Sequence, residues 1–498
     1  MLGSIVLCPG APAVSPTPIV WSAAAARTMR LDSRPLGVDP DGRARWLVRV
    51  HFLDAQGKPT RLVQAGDIEF SASRGDAQWQ TRTRYGGPAA IVSTTQDGPL
   101  EVHAVSKDPA GLSDAVTDPD TRTWRAERVA ARALGPHMVQ IGWFPAARNP
   151  VTVVRSGSDG RRTVCTLSPP SSTCRDTGVR PGALYRYSIE GAGQQTDRAG
   201  QRNERSGQWI ALPPVAVPAE APRQSLDAFR GKGMWLRFSP DRRDDDAYDR
   251  LDARALVARA KSAGIRYVEL RLAYGEFWEV TPAAKPYVDA FIDAAAREGI
   301  AVIAWTVPRA ATYADLALAT AAANYRTASG TRLAGVALDV ERGDGYLGDG
   351  PAGASAIATY VERVREALGP AYLIVATVED PYLNGLSNSD VPLAQIAGAA
   401  SAIQPMTYWR MFEKAVTEST VRASVRESYL AVRRAAGRAI PINMGGQTTG
   451  IGPCGAPPPA EITGSLDASR HAGAIGETFY DWSGTRDPQW NAISSFRW

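Results

Sequence analysis

Eight short apolar runs recur along the C-terminal half of the chain. They are GMWLRF (233–238), IRYVELRL (265–272), IAVIAWTV (300–307), LAGVALDV (333–340), YLIVATV (372–378), SAIQPMTY (401–408), AIPINM (439–444) and GAIGETFY (473–480). They start roughly 30–40 residues apart, and stretches with a helical period fill the gaps, among them LDARALVARAKSAG, VDAFIDAAAREG and IATYVERVREALG, with Gly as a helix stop. Runs this short and this apolar suit strands buried on both faces, as in a parallel sheet. Eight such strands alternating with helices predict a (β/α)8 barrel over 231–498, with DPQWNAISSF supplying the last helix. A doubly wound open sheet is the competing arrangement, but no Gly-rich phosphate-binding turn follows the first run.

Upstream the pattern is β throughout. In RWLVRVHFLDAQGKP, Trp46, Val48, Val50 and Phe52 alternate along a strand that ends in a turn, and further strands are expected at DIEFSAS, AAIVSTT and LEVHAVS. The DPDG before this strand and the DAQGKP after it resemble the bacterial immunoglobulin-like domains of invasin and intimin type, which implies a spacer or adhesive β-sandwich over 30–118. In MVQIGWFP, Val139, Ile141 and Trp143 alternate, and VRPGALYRYSIEG places Tyr185 and Tyr187 after a Pro-Gly turn. This resembles fibronectin type III over 125–212, where the Trp is core and such a Tyr makes the corner hydrogen bond. Cys165 and Cys174 flank a Pro/Ser loop between strands, a spacing that fits a disulfide in an oxidising compartment. Residues 213–230, Pro/Ala-rich at their start, read as a semi-rigid linker. The expected chain is multidomain, two β-sandwiches followed by a (β/α)8 TIM barrel.

Residues 1–29 are apolar, and the first 26 end in small residues, so the segment reads as a signal remnant, without a basic start and interrupted by prolines. With the modules above, this points to a bacterial protein that is secreted or at the cell surface. No uninterrupted apolar stretch is long enough for a membrane span. The net charge of +5 comes from dispersed Arg with no basic stripe, which argues against a nucleic-acid partner. Neither the four Cys nor the four His have metal-ligand spacing, so no metal or other cofactor is expected. The run DRRDDDAYD (241–249) reads as a solvated loop capping the first barrel helix, and Cys454 as a lone loop thiol. A monomer is expected.

A barrel gathers its chemistry at the carboxyl ends of its strands. The polar and aromatic residues there are Trp235 and Arg237, Glu269 and Arg271, Trp305, Asp339 and Glu341, Glu379, Gln404 with Tyr408 and Trp409, Asn443, and Glu477 with Trp482. Asp339 and Glu341 are one residue apart and therefore share a strand face. Carboxylates among Trp and Tyr rings suit a sugar site, because the rings cover pyranose faces and the acids supply proton transfer. A structural ion pair between Glu269 and Arg271 is the plainer reading of those two. Pairing of Asp339 and Glu341 with Arg271 or Arg342 is the plainer reading of that motif.

Three elements of the barrel resemble glycoside hydrolases related to family 18 chitinases and family 25 lysozymes. ALDVE matches their strand-4 D-x-E, QPMTYW the strand-6 M-x-Y, and FYDW the Trp after strand 8. The resemblance implies a polysaccharide substrate, Glu341 as proton donor, Asp339 assisting or orienting an acetamido group, and Tyr408 supporting developing charge. The chain departs from family 18 at Ala334 and Ala337, where further acids are expected, and at Trp409, where an Asp is expected. It departs from family 25 in lacking an acid on the first strand. Three functions stay open: a polysaccharide-cleaving enzyme, a surface carbohydrate-binding protein with a degenerate barrel, and another barrel hydrolase or lyase. An unpaired Glu341 in an aromatic groove separates the first from the second, in which Glu341 is held against an Arg.

Overall fold

A computed structural model of the chain describes residues 28–38, 42–53, 59–60, 68–73, 78–82, 89–94, 100–106, 113–118, 129–147, 150–190, 210–212, 214–218, 225–237, 252–275, 277–282, 284–309, 313–343, 345–411, 416–451 and 455–498. The first 27 residues, the 241–249 run, Cys8 and Cys454 lie outside the described residues. The chain divides into two compact units, one over 15–220 and one containing 221–498.

Within the first unit, Thr28–Val38, Ala44–Leu53, Ala89–Thr94 and Gln78–Arg82 form an antiparallel sheet in that order, with Pro59–Thr60 on its second strand. Ile68–Ala72, Leu100–Ser106 and Ser113–Asp118 form another. Trp46, Val48, Val50 and Phe52 from the first sheet and Phe70, Leu100 and Val102 from the second share one buried cluster. Period-2 alternation produces this, since every second side chain of a strand meets the opposite sheet. Further along, Val129–Gly135, Met138–Ala147 and Ser171–Asp176 form one sheet, and Val151–Gly157, Gly160–Leu167, Leu184–Glu190 and Ile210–Ala211 another. Val139, Ile141 and Trp143 pack with Val153, Tyr185, Tyr187 and Ile189. The Tyr185 hydroxyl accepts the Arg180 N–H at 3.1 Å. Cys165 and Cys174 are joined as a disulfide, with Cα atoms 6.5 Å apart, and tie one sheet to the other.

The segment expected as a linker is structured at both ends. Val215–Ala216 pairs with the strand at Leu184–Glu190, and Val215 and Val217 enter that module's core. Leu226–Phe229 is a 3-10 turn whose Phe229 is fully buried against Tyr267 of the barrel.

The second unit is a closed barrel of eight parallel strands: Gly231–Arg237, Ile265–Tyr274, Ala301–Val307, Val336–Val340, Ile374–Glu379, Ala402–Met406, Asn443–Gln447 and Gly476–Tyr480, numbered 1 to 8 below. Neighbours pair in sequential order, and strand 1 pairs with both 2 and 8, which closes the ring and excludes the open sheet. Eight helices intervene or follow: Ala253–Ser262, Lys285–Arg297, Tyr313–Ala323, Gly350–Leu368, Leu393–Ala399, Glu418–Ala436, Pro459–Ala472 and Asp487–Ser495. Among the described residues no helix is long and apolar enough to cross a membrane.

Side chains of alternate residues fill the barrel in layers. Tyr267, Ile303, Ala337, Val375 and Ala402 form the base, closed from below by Phe229. Gly233 on strand 1 is what admits Tyr267. A Cβ there would lie 2.2 Å from the Tyr267 ring, so any larger residue would expel it. Two residues further along the same strands come Glu269, Trp305, Asp339, Thr377 and Gln404. Two further again, at the mouth, come Arg271, Val307, Glu341 and Glu379.

Candidate active site

Asp339 and Glu341 project from the end of strand 4. Asp339 is 5% exposed, and its Oδ2 accepts the Trp305 Nε1–H at 3.0 Å. Its Oδ1 is buried without a hydrogen-bond partner among the described residues. Glu341 is half-buried, and no hydrogen bond or ion pair reaches its carboxylate among the described residues. The arginines expected as partners are engaged elsewhere. Arg271 grips Glu279 through two hydrogen bonds of 2.8 and 2.9 Å, and Arg342 pairs with Glu379 at 2.6 Å.

Both acids of the pair are pushed up from the ordinary carboxylate range. Burial is the largest cause in each case. For Glu341 the neighbouring charges of Asp339 and Glu379 add to it, and Arg309 opposes it. For Asp339 the Trp305 hydrogen bond and Arg271 oppose burial. Burial and the like charges around it therefore favour the protonated form of Glu341, and no hydrogen-bond acceptor for that proton stands among the described residues.

An aromatic wall stands beside the pair. Trp235, Trp305 and Tyr480 form a triangle with ring centroids 6.0–6.4 Å apart, and Tyr408 lies 5.8 Å from Tyr480. Burial and the charges of Asp339, Tyr480 and Glu341 keep the half-buried Tyr408 hydroxyl protonated well beyond its usual range. Tyr274 and Tyr346 pack against the same cluster. Arg237 sits at the rim, paired with Asp481 at 3.0 Å.

Other residues expected at the mouth are enclosed deeper or face outward. Glu269, Gln404 and Asn443 are fully buried inside the barrel. Glu269 accepts from Gln404 Nε2 at 2.8 Å and from Thr478 Oγ1 at 3.0 Å, and burial raises its pKa to about 8. Asn443 donates to the Tyr267 hydroxyl at 2.6 Å and accepts from Thr478. The expected Glu269–Arg271 ion pair is replaced by Arg271–Glu279, because the chain folds back after strand 2 through Phe277–Trp278 and brings Glu279 over Arg271. Glu477 has the opposite parity to Thr478 and Tyr480. It points out of the barrel to the Pro459–Ala472 helix, where Ser465 donates to it. Trp409 also faces that helix and donates to Glu461 at 3.0 Å. Trp482 packs edge-on against Trp490 at 4.9 Å. Neither Trp409 nor Trp482 encloses Glu341. Tyr346 and Tyr408 are the tyrosines close enough for their hydroxyls to feel the Glu341 charge.

No protein-family model matches the chain, and no curated protein matches its sequence. Among solved structures, the Bacillus cereus spore cortex-lytic enzyme SleL is similar at 12% identity and a TM-score of 0.39, over 60% of this chain and 79% of that one. A class V chitinase from Nicotiana tobaccum is similar at 11% identity and 0.38, over 53% and 98%. The PgaB glycoside hydrolase domain from Bordetella bronchiseptica is similar at 11% and 0.37, over 53% and 98%. These neighbours are glycoside hydrolases at low identity. Scores this low leave the side-chain geometry to decide function.

Proposed function

We propose that the barrel hydrolyses glycosidic bonds in a polysaccharide, with Glu341 as the general acid. The supporting observation is a half-buried carboxyl group with no hydrogen-bond or ion-pair partner among the described residues, its pKa raised by burial and like charge, beside a second acid at the strand ends of a barrel lined by Trp and Tyr. A general acid has to hold its proton at working pH, and burial with like charge achieves this. Glu341 protonates the glycosidic oxygen as the bond to the anomeric carbon breaks. The unpartnered Oδ1 of Asp339 accepts a hydrogen bond from the sugar, and the Tyr408 hydroxyl faces the charge that develops on the ring. Among the described residues, the other carboxylates whose charge reaches Glu341 are Asp339 and Glu379, and Glu379 is tied to Arg342. Attack on the anomeric carbon is therefore assigned to water activated by Asp339 or to a substituent of the sugar itself. The absence of an Arg ion pair at Glu341 favours this reading over a purely carbohydrate-binding barrel.

The β-modules serve in this reading as spacers or surface-attachment segments of immunoglobulin-like and fibronectin-like type. The disulfide supports a secreted or cell-surface protein. The experiment is reducing-end release from a panel of cell-wall, chitin-like and exopolysaccharide substrates. Glu341→Gln keeps shape and hydrogen bonding but removes the proton, so turnover should fall about 10²–10⁴-fold while glycan binding is retained. A variant that cleaves as fast as the parent, or a parent that cleaves nothing, sinks the assignment.

A further inference from the structure

We propose that the mouth of the barrel carries a subsite for a carboxylate-bearing sugar, built around Arg309, so that the glycan is an acidic one; this deepens the reading above and rests on it for the glycan alone. Four other arginines near the strand ends are neutralised by protein carboxylates: Arg237 by Asp481, Arg271 by Glu279, Arg342 by Glu379 and Arg410 by Glu461, all at 3.0 Å or less. Arg309, just beyond strand 3, is the exception. No Asp or Glu oxygen among the described residues lies within 4.0 Å of its guanidinium.

The group is nevertheless held in place. Nη1 donates to the Tyr274 hydroxyl, and the guanidinium carbon lies 4.4 Å from the centre of the Tyr346 ring and 5.0 Å from that of Tyr274. Gly345 leaves room for it, since a Cβ there would sit 2.7 Å from Nη2. Nε is buried with no hydrogen-bond partner. Held against two rings and with no carboxylate among the described residues in reach, this partly buried cation is met by solvent and is open to an anionic ligand. Aromatic contact with the guanidinium faces leaves its edge for a planar acceptor, and a carboxylate fits that fork in bidentate fashion. Arg309 also acts on Glu341 directly, opposing the rise in its pKa. A sugar carboxylate bound at Arg309 therefore lies beside the proton donor and screens that opposition. An amino sugar would be repelled from the same place.

The test uses the full chain carrying Glu341→Gln, so that no turnover consumes the probe. Binding of a hyaluronan tetrasaccharide and of the same tetrasaccharide with its glucuronate carboxyls reduced to alcohols is measured by calorimetry at low salt. The carboxylated form should bind at least tenfold tighter, since the two differ by charge-assisted hydrogen bonds. Adding Arg309→Gln should erase the preference, and Arg309→Lys should keep part of it. Equal binding of the two forms, no binding of either, or a preference that survives Arg309→Gln overturns the proposal. Charge preference without turnover of any glycan would instead count against the hydrolase reading alone. Turnover of neutral glycans without charge preference would count against the subsite alone.

Discussion

Two of the places in the chain that enclose ionisable side chains treat them in opposite ways. In the second β-module Arg155 is completely buried and donates to Asp176 at 2.9 Å and to Asp159 at 2.7 Å, with its guanidinium 4.3 Å from the Tyr185 ring centre. Asp176 also accepts from the Tyr187 hydroxyl at 3.0 Å and from the Gly178 N–H at 2.9 Å. Each charge there is met by an opposite charge, which is what a purely structural site requires, although Arg155 Nε and one oxygen of Asp159 make no hydrogen bond among the described residues. At the barrel mouth, among the described residues, Asp339 Oδ1 and the Glu341 carboxylate have no hydrogen-bond partner and no carboxylate pairs with Arg309. Polar groups left unmet in a cleft are open to a ligand. On the function proposed above, the contrast separates a buried network that holds the fold from a cluster left open to a sugar.

The comparison breaks most easily at its structural end. Asp176→Ala strands a buried Arg and should cost about 3–5 kcal/mol of stability in that module while leaving glycan turnover unchanged. Chemical denaturation of the variant checks it. Glu341→Gln, by contrast, should not destabilise the fold, because no hydrogen bond or ion pair among the described residues relies on that carboxylate. Above the ordinary carboxylate range it should stabilise, because a raised acid loses stability as pH rises. A Glu341→Gln variant as destabilised as Asp176→Ala would collapse the distinction.

A smaller effect sharpens it inside the barrel. Glu269 is enclosed like Arg155 but lacks a countercharge, and its folded pKa of about 8 stands above the ordinary value of 4.5. A raised acid contributes stability that is fully present below the unfolded pKa and is lost as pH rises through the folded one. Parent stability should therefore fall relative to Glu269→Gln between pH 4.5 and 8, by up to roughly 1.4 kcal/mol per pH unit. Melting curves across that window decide it. A difference that does not change with pH would mean that Glu269 is not protonated in the fold.

The architecture of the barrel was legible because an apolar run covered on both faces leaves a strong signal. The alternating Trp46, Val48, Val50 and Phe52 were equally plain, since one face of that strand meets a core and the other is more open. Side-chain direction inside the barrel was harder to read. A strand buried on both sides has no polar face to reveal its parity, so the sequence does not show that Glu477 points outward while Thr478 and Tyr480 point inward. Trp409 and Trp482 lie past the ends of their strands, where the chain turns and strand parity no longer applies. Asp339 and Glu341 were legible because the spacing of two puts them on one face whichever way it points. Arg309 was overlooked, although it continues the inward series Trp305, Val307. Its significance depends on Tyr346, brought from the loop after strand 4, and no local pattern announces that contact.

On the proposed function, Glu341 keeps a transferable proton at neutral pH because burial and the charge of Asp339 oppose its loss. The direct measurement is a carbon-13 titration of the Glu carboxyls in the full chain, with the Glu341 signal assigned by its disappearance in Glu341→Gln. The signal should stay in its protonated position through neutral pH and move only on the alkaline side. In Asp339→Asn the midpoint should fall, because a like charge has been removed. A Glu341 carboxyl that titrates in the ordinary range near 4.5, unmoved by Asp339→Asn, would contradict the account.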